Sequence, residues 1–279
     1  MKSSLGAGGL AGWPVLICAF SLLAVAGDNP AVAQSVFGGA PEGMVLVPEG
    51  EFVMGASAEE THSLKEQYAS NRLYKDYNFK WEEPKRKVFL KAYYIDRTEV
   101  TNREYLRYIK ATGAAPPMHW ENGSYMKGLD DFPVLYVTQA DAEKYAKWAG
   151  KRLPTEQEWE KASRGAEGSI FPWGDQFDPE KAATADSDLK LMGHALCNAS
   201  AANQTGHAEG DKSPYGAMDM GGNVREWTAS FDPEHPAMKV VKGGSWLDLN
   251  LLARGSHREF VYKYFKSHVI GFRCVKDAD

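Results

Sequence analysis

Three stretches of the chain carry apolar residues at helical spacing behind legible caps. Thr101-Asn102-Arg103-Glu104 opens the first, with Tyr105, Tyr108 and Ile109 on one face and Gly113 as its stop. Thr138, followed by Asp141, opens the second, which carries Ala142, Tyr145, Ala146 and Ala149 and ends at Gly150. Thr155-Glu156-Gln157-Glu158 opens the third, with Trp159 and Ala162 before Gly165. In such boxes the threonine hydroxyl and the acidic side chain satisfy orphan amides reciprocally, and glycine suits a left-handed stop. Period-two alternation lies nearer the N-terminus. Met44-Val45-Leu46-Val47-Pro48 and Phe52-Val53-Met54-Gly55, separated by turn residues, predict a hairpin, and Val88 to Ile95 predicts one strand. Residues 56–86 are polar, interrupted by Tyr68, Tyr74, Tyr77, Phe79 and Trp81, and read as an insertion or long loop. Beyond residue 165 the chain turns to Gly, Asn, Asp, Ser and Pro. Such a stretch must be held by loop contacts, ions or tryptophan packing, because it lacks regular hydrogen-bond ladders.

A length of 279 residues allows one large or two small domains. The net charge of -5 and the lack of a clustered basic face exclude a nucleic-acid partner, since counterion release needs such a face. Lys2, the apolar run from Trp13 to Ala26 and Ala31-Val32-Ala33 read as a secretory signal over residues 1–33, followed by a linker at 34–43. The expected location is periplasmic or secreted. The apolar run is short for a membrane span, and no span remains after cleavage. Cleavage removes Cys18 and leaves Cys197 and Cys274, which suit either one disulfide or two buried thiols.

Two features carry candidate chemistry on their residues alone. Asp219 and Glu226 bracket the Gly-rich turn Met220-Gly221-Gly222-Asn223-Val224-Arg225, a pattern that can aim carbonyl and carboxylate oxygens at one hard cation. The same turn also reads as a salt-bridged loop without metal. His257, in Gly255-Ser256-His257-Arg258, has the titration range of a general acid or base, and equally that of a hydrogen-bonded structural histidine. No nucleophile elbow and no phosphate loop are present.

A series of motifs goes further. Met44 to Gly55, Tyr93-Tyr94-Ile95-Asp96 with Glu99-Val100-Thr101-Asn102, and Ala149-Gly150-Lys151-Arg152-Leu153-Pro154-Thr155-Glu156 follow in order. Phe171-Pro172-Trp173-Gly174, Gly222-Asn223-Val224-Arg225-Glu226-Trp227, Gly243-Gly244-Ser245-Trp246 and Gly271-Phe272-Arg273-Cys274 complete the series. Together they resemble the formylglycine-generating enzyme (sulfatase-modifying factor) domain family. The resemblance implies a single α+β domain over residues 44–279, C-type-lectin-like, with much irregular structure.

The oxidases of that family bind copper through a cysteine pair between the GGS and GFR motifs. No cysteine lies between Trp246 and Arg273 here, so copper, which as Cu(I) wants thiolates, is not expected. Formylglycine generation by that route is disfavoured. Arg225 stands where a tryptophan lines the oxidase pocket, Asp248 lies near the first cysteine position, and Ser245 is retained. Ser245, Arg225, Asp248 and His257 are therefore the candidate catalytic residues. The resemblance also implies calcium, held by the Asp219 and Glu226 side chains with the Gly222 and Val224 carbonyls, and a second site at Asn198 and Ala199. It puts Ser163 where the usual disulfide partner of Cys274 stands, and gives Arg254 and Arg258 bracing roles.

Three functions fit a cysteine-free, exported member. One is an enzyme that modifies or oxidises a small-molecule or peptide substrate, as in the branch that matures the siderophore pyoverdine. Another is a non-catalytic, calcium-stabilised lectin-like binding protein. The third is an accessory factor to a periplasmic redox enzyme. A segment from Tyr68 to Trp81 that folds over Ser245, Arg225 and Asp248 and makes a closed pocket would favour the first, and an exposed groove with no convergent titratable groups the second.

Overall fold

A computed structural model describes residues 39–186, 204–206 and 209–278. Its first strands, β1 (Met44–Val47) and β2 (Gly50–Met54), do not form the expected hairpin with each other. Each pairs instead with one half of the second apolar run, which is broken into β3 (Arg86–Leu90) and β4 (Tyr93–Asp96). β2 runs antiparallel to β3 with Phe52 opposite Val88, and β1 antiparallel to β4 with Val45 opposite Ile95. The split has a local cause. Pro48 has no amide to continue a ladder, and Gly50 takes a φ of 138° that turns the chain into a second sheet.

The helices follow their caps. α1 (Ala58–Gln67) begins at Ser57, which forms a capping box with Glu60. α2 (Asn102–Thr112) begins at Thr101 and stops at Gly113, whose φ is 72°. α3 (Gln139–Trp148) begins at Thr138, and α4 (Glu156–Arg164) at Thr155, each with a complete box. α1 lies inside the stretch expected to be loop. Thr61 is its one buried residue, so it has no apolar face to read, and only the Ser57-to-Glu60 spacing announces it.

The remaining strands are β5 (Arg225–Phe231), β6 (Met238–Lys242), β7 (Arg258–Tyr262), β8 (Ile270–Gly271) and β9 (Val275–Asp277). They give a four-stranded sheet in the order β7-β6-β5-β8, while β9 joins β1 and β4 in a three-stranded sheet with β4 central. One apolar cluster, including Tyr105, Tyr145, Trp227 and Phe272, fills the space between α2, α3 and the four-stranded sheet. Burying a side chain such as Phe272 completely contributes about 1.5–3 kcal/mol. A second cluster sets Trp159 and Ala162 of α4 against Val45, Val47, Ile95 and Val275 of the three-stranded sheet. α4 is thus enclosed on nearly all sides, and its charged residues Glu160, Lys161 and Arg164 are buried with it. They are tolerated because they are paired: Glu160 accepts from Arg164 at 2.6 Å and from Lys242 at 2.8 Å. Burial pulls the Glu160 carboxyl upward, but those two cations hold it below the usual carboxylate range.

The region after residue 165 has the ladders that its composition did not predict, since β5 to β9 all lie there; its loops are held by ring stacking and close backbone packing. Phe171 and Trp173 stack at 5.3 Å, and Gly243-Gly244 is closely packed: a Cβ on Gly244 would sit 2.9 Å from the Gly221 carbonyl. Among the described residues no helix is long and apolar enough to cross a membrane. The expected signal segment, Cys18 and Cys197 lie outside the described residues, and Cys274 is a buried free thiol.

Candidate functional site

The loop leading into β5 converges on Arg273. Its guanidinium faces the Glu226 carboxylate, with Nε at 2.9 and 2.8 Å from the two oxygens and Nη2 at 2.7 Å. The same side chain donates to the carbonyls of Asp96, Arg97 and Met218. Glu226 also accepts the Trp159 indole N–H at 2.8 Å. Its charge is therefore matched and both oxygens are engaged.

Asp219 is not matched in that way. It is 2 % exposed; one oxygen accepts the Gly206 N–H and Oδ1 has no partner. Glu99 accepts the Asn223 amide at 3.0 Å through Oε1, while its Oε2 is unpartnered. Asp211 accepts the Gly221 N–H at 2.8 Å, and its Oδ1 is unpartnered. Burial first, then the neighbouring charge of Asp219, pushes the Glu99 and Asp211 carboxyls well above the usual range. Burial likewise raises Asp219 to about 6. Orphaned, buried carboxylate oxygens of this kind suit a hard cation. Among the described residues no three His, Cys, Asp or Glu side chains meet at one metal position, so carbonyl oxygens and water would complete the shell. Asn198 and Ala199 lie outside the described residues.

The expected catalytic residues fall into one network and one outlier. Ser245 donates to Asp248 at 2.6 Å. Arg225 grips the same carboxylate through Nε at 2.9 Å and Nη2 at 2.6 Å, and reaches Glu259 through Nη1. The serine proton is thus directed at a carboxylate already held by a guanidinium. His257 stands apart. It is fully buried, its Nδ1 lies 3.1 Å from the Gly243 carbonyl, and its Nε2 has no partner. Burial, reinforced by the charges of Arg225, Arg254 and Lys242, drives its pKa well below the usual value. A neutral ring with the proton on Nδ1 is the state this environment selects.

The aromatic insertion folds over this network. Tyr68 donates to Asn250 at 2.9 Å, and the Leu249 N–H donates to the Tyr74 hydroxyl at 2.9 Å. Tyr77 lies 5.7 Å from the His257 ring, and Trp81 meets Phe260 edge-on at 5.4 Å. A short 3-10 helix, Phe79–Glu82, fixes the segment from below. Glu82 binds Arg254 in two-pronged fashion at 2.8 and 2.6 Å and takes the Ser256 hydroxyl at 2.7 Å. Arg254 does brace the last loops, and Arg258 pairs with Glu156 at 3.2 Å while lying over Phe260.

A second grouping was not legible in the sequence, although one member, Trp246, falls in a motif. His119 packs on Tyr136 at 4.7 Å; Tyr136 lies 6.3 Å from His268, and His268 lies 5.8 Å from Trp246. Tyr136 is half-buried with a φ of 57°, a strained conformation for a bulky residue. The buried indole N–H groups of Trp120 and Trp246 and the Nδ1 of His119 lack partners. Burial lowers the His119 pKa to about 4, so the ring is neutral at pH 7. Tyr136 also borders a cleft of about 330 Å³ with Tyr105, Tyr108, Asp141 and Lys266. Residues more than a hundred positions apart form the group, and only Tyr136's backbone hints at it.

Comparison with known proteins agrees with this architecture. An uncharacterized protein of Bacillus subtilis, YfmG, is 32% identical over 85% of this chain, and the chain spans 54% of that relative's length. The mouse inactive C-alpha-formylglycine-generating enzyme 2 is 28% identical, covering 84% of this chain and 86% of its own length. The structure of PvdO from Pseudomonas aeruginosa superposes with a TM-score of 0.61 at 23% identity, over 84% of this chain and 94% of that one, which shows the shared fold. Residues 31–278 match the sulfatase-modifying factor enzyme 1-like domain, and the chain belongs to that family.

Proposed function

We propose that this protein is exported to the periplasm or beyond, where it acts on a peptide-derived small molecule with a planar aromatic portion, such as a pyoverdine-type siderophore precursor. The observation that carries this reading is the grouping of Trp246, His268, Tyr136 and His119, with unpartnered polar atoms on Trp246 and His119. Flat rings supply stacking area, the Trp246 N–H can donate to a carbonyl or phenol oxygen, and the neutral His119 can accept a hydrogen bond from a hydroxyl. An oxidation at this surface would draw its oxidant, a diffusible acceptor such as dioxygen, from solution. The likeness to PvdO and the absence of cysteine between Trp246 and Arg273 both support this branch over formylglycine generation.

A second reading, a calcium-stabilised binding protein without turnover, is favoured by a separate observation. Ser245, Asp248, Arg225 and Glu259 bond to each other beneath the inserted segment. Calcium in the loop from Asp219 to Glu226, with the Gly222 and Val224 carbonyls, belongs to both readings as a structural ion.

The test is turnover of reduced chromophore precursors by the purified protein in air, followed by absorbance. Turnover is expected, and Trp246→Phe, which keeps the ring but removes the N–H, should raise KM by about tenfold, the value of one such hydrogen bond. Tight binding of the precursor without turnover would transfer the protein to the second reading. Conversion of a sulfatase-derived cysteine peptide to an aldehyde would refute both.

A further inference from the structure

We propose that the cleft beside Tyr136 is a subsite for a carboxylate carried by the substrate, held by Lys144 and Lys266. This rests on the reading above, in which a planar ring packs along Trp246, His268, Tyr136 and His119, and adds a second feature that such a substrate carries. The cleft forms where three segments meet. Tyr105, Tyr108 and Thr112 stand at i, i+3 and i+7 of α2 and share one face. Gly113, with a φ of 72°, stops that helix and turns the chain toward Pro116 and Pro117, which also border the space. α3 supplies Asp141 and, about one turn on, Lys144. The Tyr136 amide donates to the Ser267 carbonyl at 2.9 Å, which brings the neighbouring Lys266 to the rim.

The polar side chains around this space are mostly donors in want of acceptors. Tyr105 is 2 % exposed and Tyr108 5 %, yet neither hydroxyl has a hydrogen-bond partner among the described residues, and neither oxygen is sealed from solvent. Both therefore open on the cleft. Lys144 makes no ion pair among the described residues, and Lys266 comes only to 3.9 Å from Asp141. Asp141 is already engaged: its Oδ2 accepts the Thr138 amide at 3.1 Å and the Thr138 hydroxyl at 2.7 Å. Two lysines less one aspartate leave a single net positive charge here, in a chain whose overall net charge is -5. Ammonium and phenol donors around one recess select an anionic acceptor, and a single positive charge matches a carboxylate better than a doubly charged phosphate. A peptide offers that group as an acidic side chain or as its C-terminus. Tyr136 belongs to both sites, packing on His119 at 4.7 Å and bordering the cleft, so ring and carboxylate bind side by side. Its φ of 57° is strain of the kind found at ligand clamps.

The experiment measures binding of N-naphthoyl probes to the purified protein by fluorescence anisotropy. Naphthoyl-glutamine offers the terminal carboxylate, naphthoyl-isoglutamine the side-chain one, and naphthoyl-glutamine amide neither. At least one acidic probe should bind about tenfold tighter than the neutral probe, and that preference should shrink as salt is raised. Whichever acidic probe binds tighter identifies the source of the carboxylate. Lys144→Gln and Lys266→Gln, both at exposed positions, should each weaken the preferred acidic probe by about two- to fivefold and leave the neutral probe unchanged. Changing both to glutamate should invert the preference, so that naphthoyl-lysine amide binds better than either acidic probe. N-acetylglutamate, which has no ring, should bind more weakly with the same lysine dependence, read by calorimetry. Equal binding of acidic and neutral naphthoyl probes would overturn the carboxylate subsite and leave the planar-ring reading standing. Lysine-dependent binding of N-acetylglutamate with no gain from the naphthoyl ring would sustain the subsite and end the ring reading. No binding of any probe would overturn both.

Discussion

His119 shows how much one side chain's surroundings decide. Its unfolded-state pKa is about 6.5, and burial lowers the folded value to about 4. Between those values the unfolded chain binds the extra proton, so the ring's contribution to stability is present above the window and lost as pH falls through it. His119→Asn should therefore flatten the dependence of unfolding free energy on pH between 4 and 6.5, measured by urea titration at several pH values. His257 shares the sign, so a parallel His257→Asn series separates the two. An unchanged slope in the His119 variant would mean that the ring is already solvated.

At the scale of elements, the short helix Phe79–Glu82 is the pivot of the inserted segment. It carries Glu82 into a fully enclosed pairing with Arg254 and Ser256. Glu82→Gln keeps the shape but leaves a buried guanidinium without its counter-charge, a loss of about 3–5 kcal/mol. The denaturation midpoint should fall accordingly, and proteases should cut first between Tyr68 and Trp81 once the pivot loosens. A variant that unfolds at the wild-type midpoint would show that water reaches Arg254. Elements were legible in the sequence where local rules suffice. α2, α3 and α4 follow their threonine boxes to within a residue or two. The pairing of β1 and β2 was not, because alternation fixes a strand's faces but not its partner. Of the candidate site, Ser245, Arg225 and Asp248 did come together. Glu99 was not legible as a neighbour of the acidic loop because it lies far from it in the chain, and Asp211, just upstream, lies outside the motif; His257 sits against the Gly243 carbonyl and makes no hydrogen bond to the network.

At the scale of the molecule, Arg273 is where the separate parts meet. It joins the end of β4 through Asp96 and Arg97, the irregular region through Met218, and the four-stranded sheet through Glu226. Lysine cannot reproduce that fork. Arg273→Lys should destabilise by about 3–5 kcal/mol, with both sheets losing hydrogen-exchange protection together. Loss of protection in one sheet alone would show that the parts are independently stable. This junction also explains why the described residues between α4 and β5, which carry no helix or strand, need charges inside: they supply the directional contacts that ladders would otherwise provide.

The placement of β9 has a consequence in time. β4 receives one neighbour from β1, a few dozen residues earlier, and the other only from Val275–Asp277. The Cys274 amide that caps this junction bonds to Asp96 across 178 residues. The three-stranded sheet thus stays unfinished until nearly the whole domain has left the ribosome. Synthesis at about 5–20 residues per second leaves it open for many seconds. A polypeptide in that interval is still threadable, as the export proposed above would require.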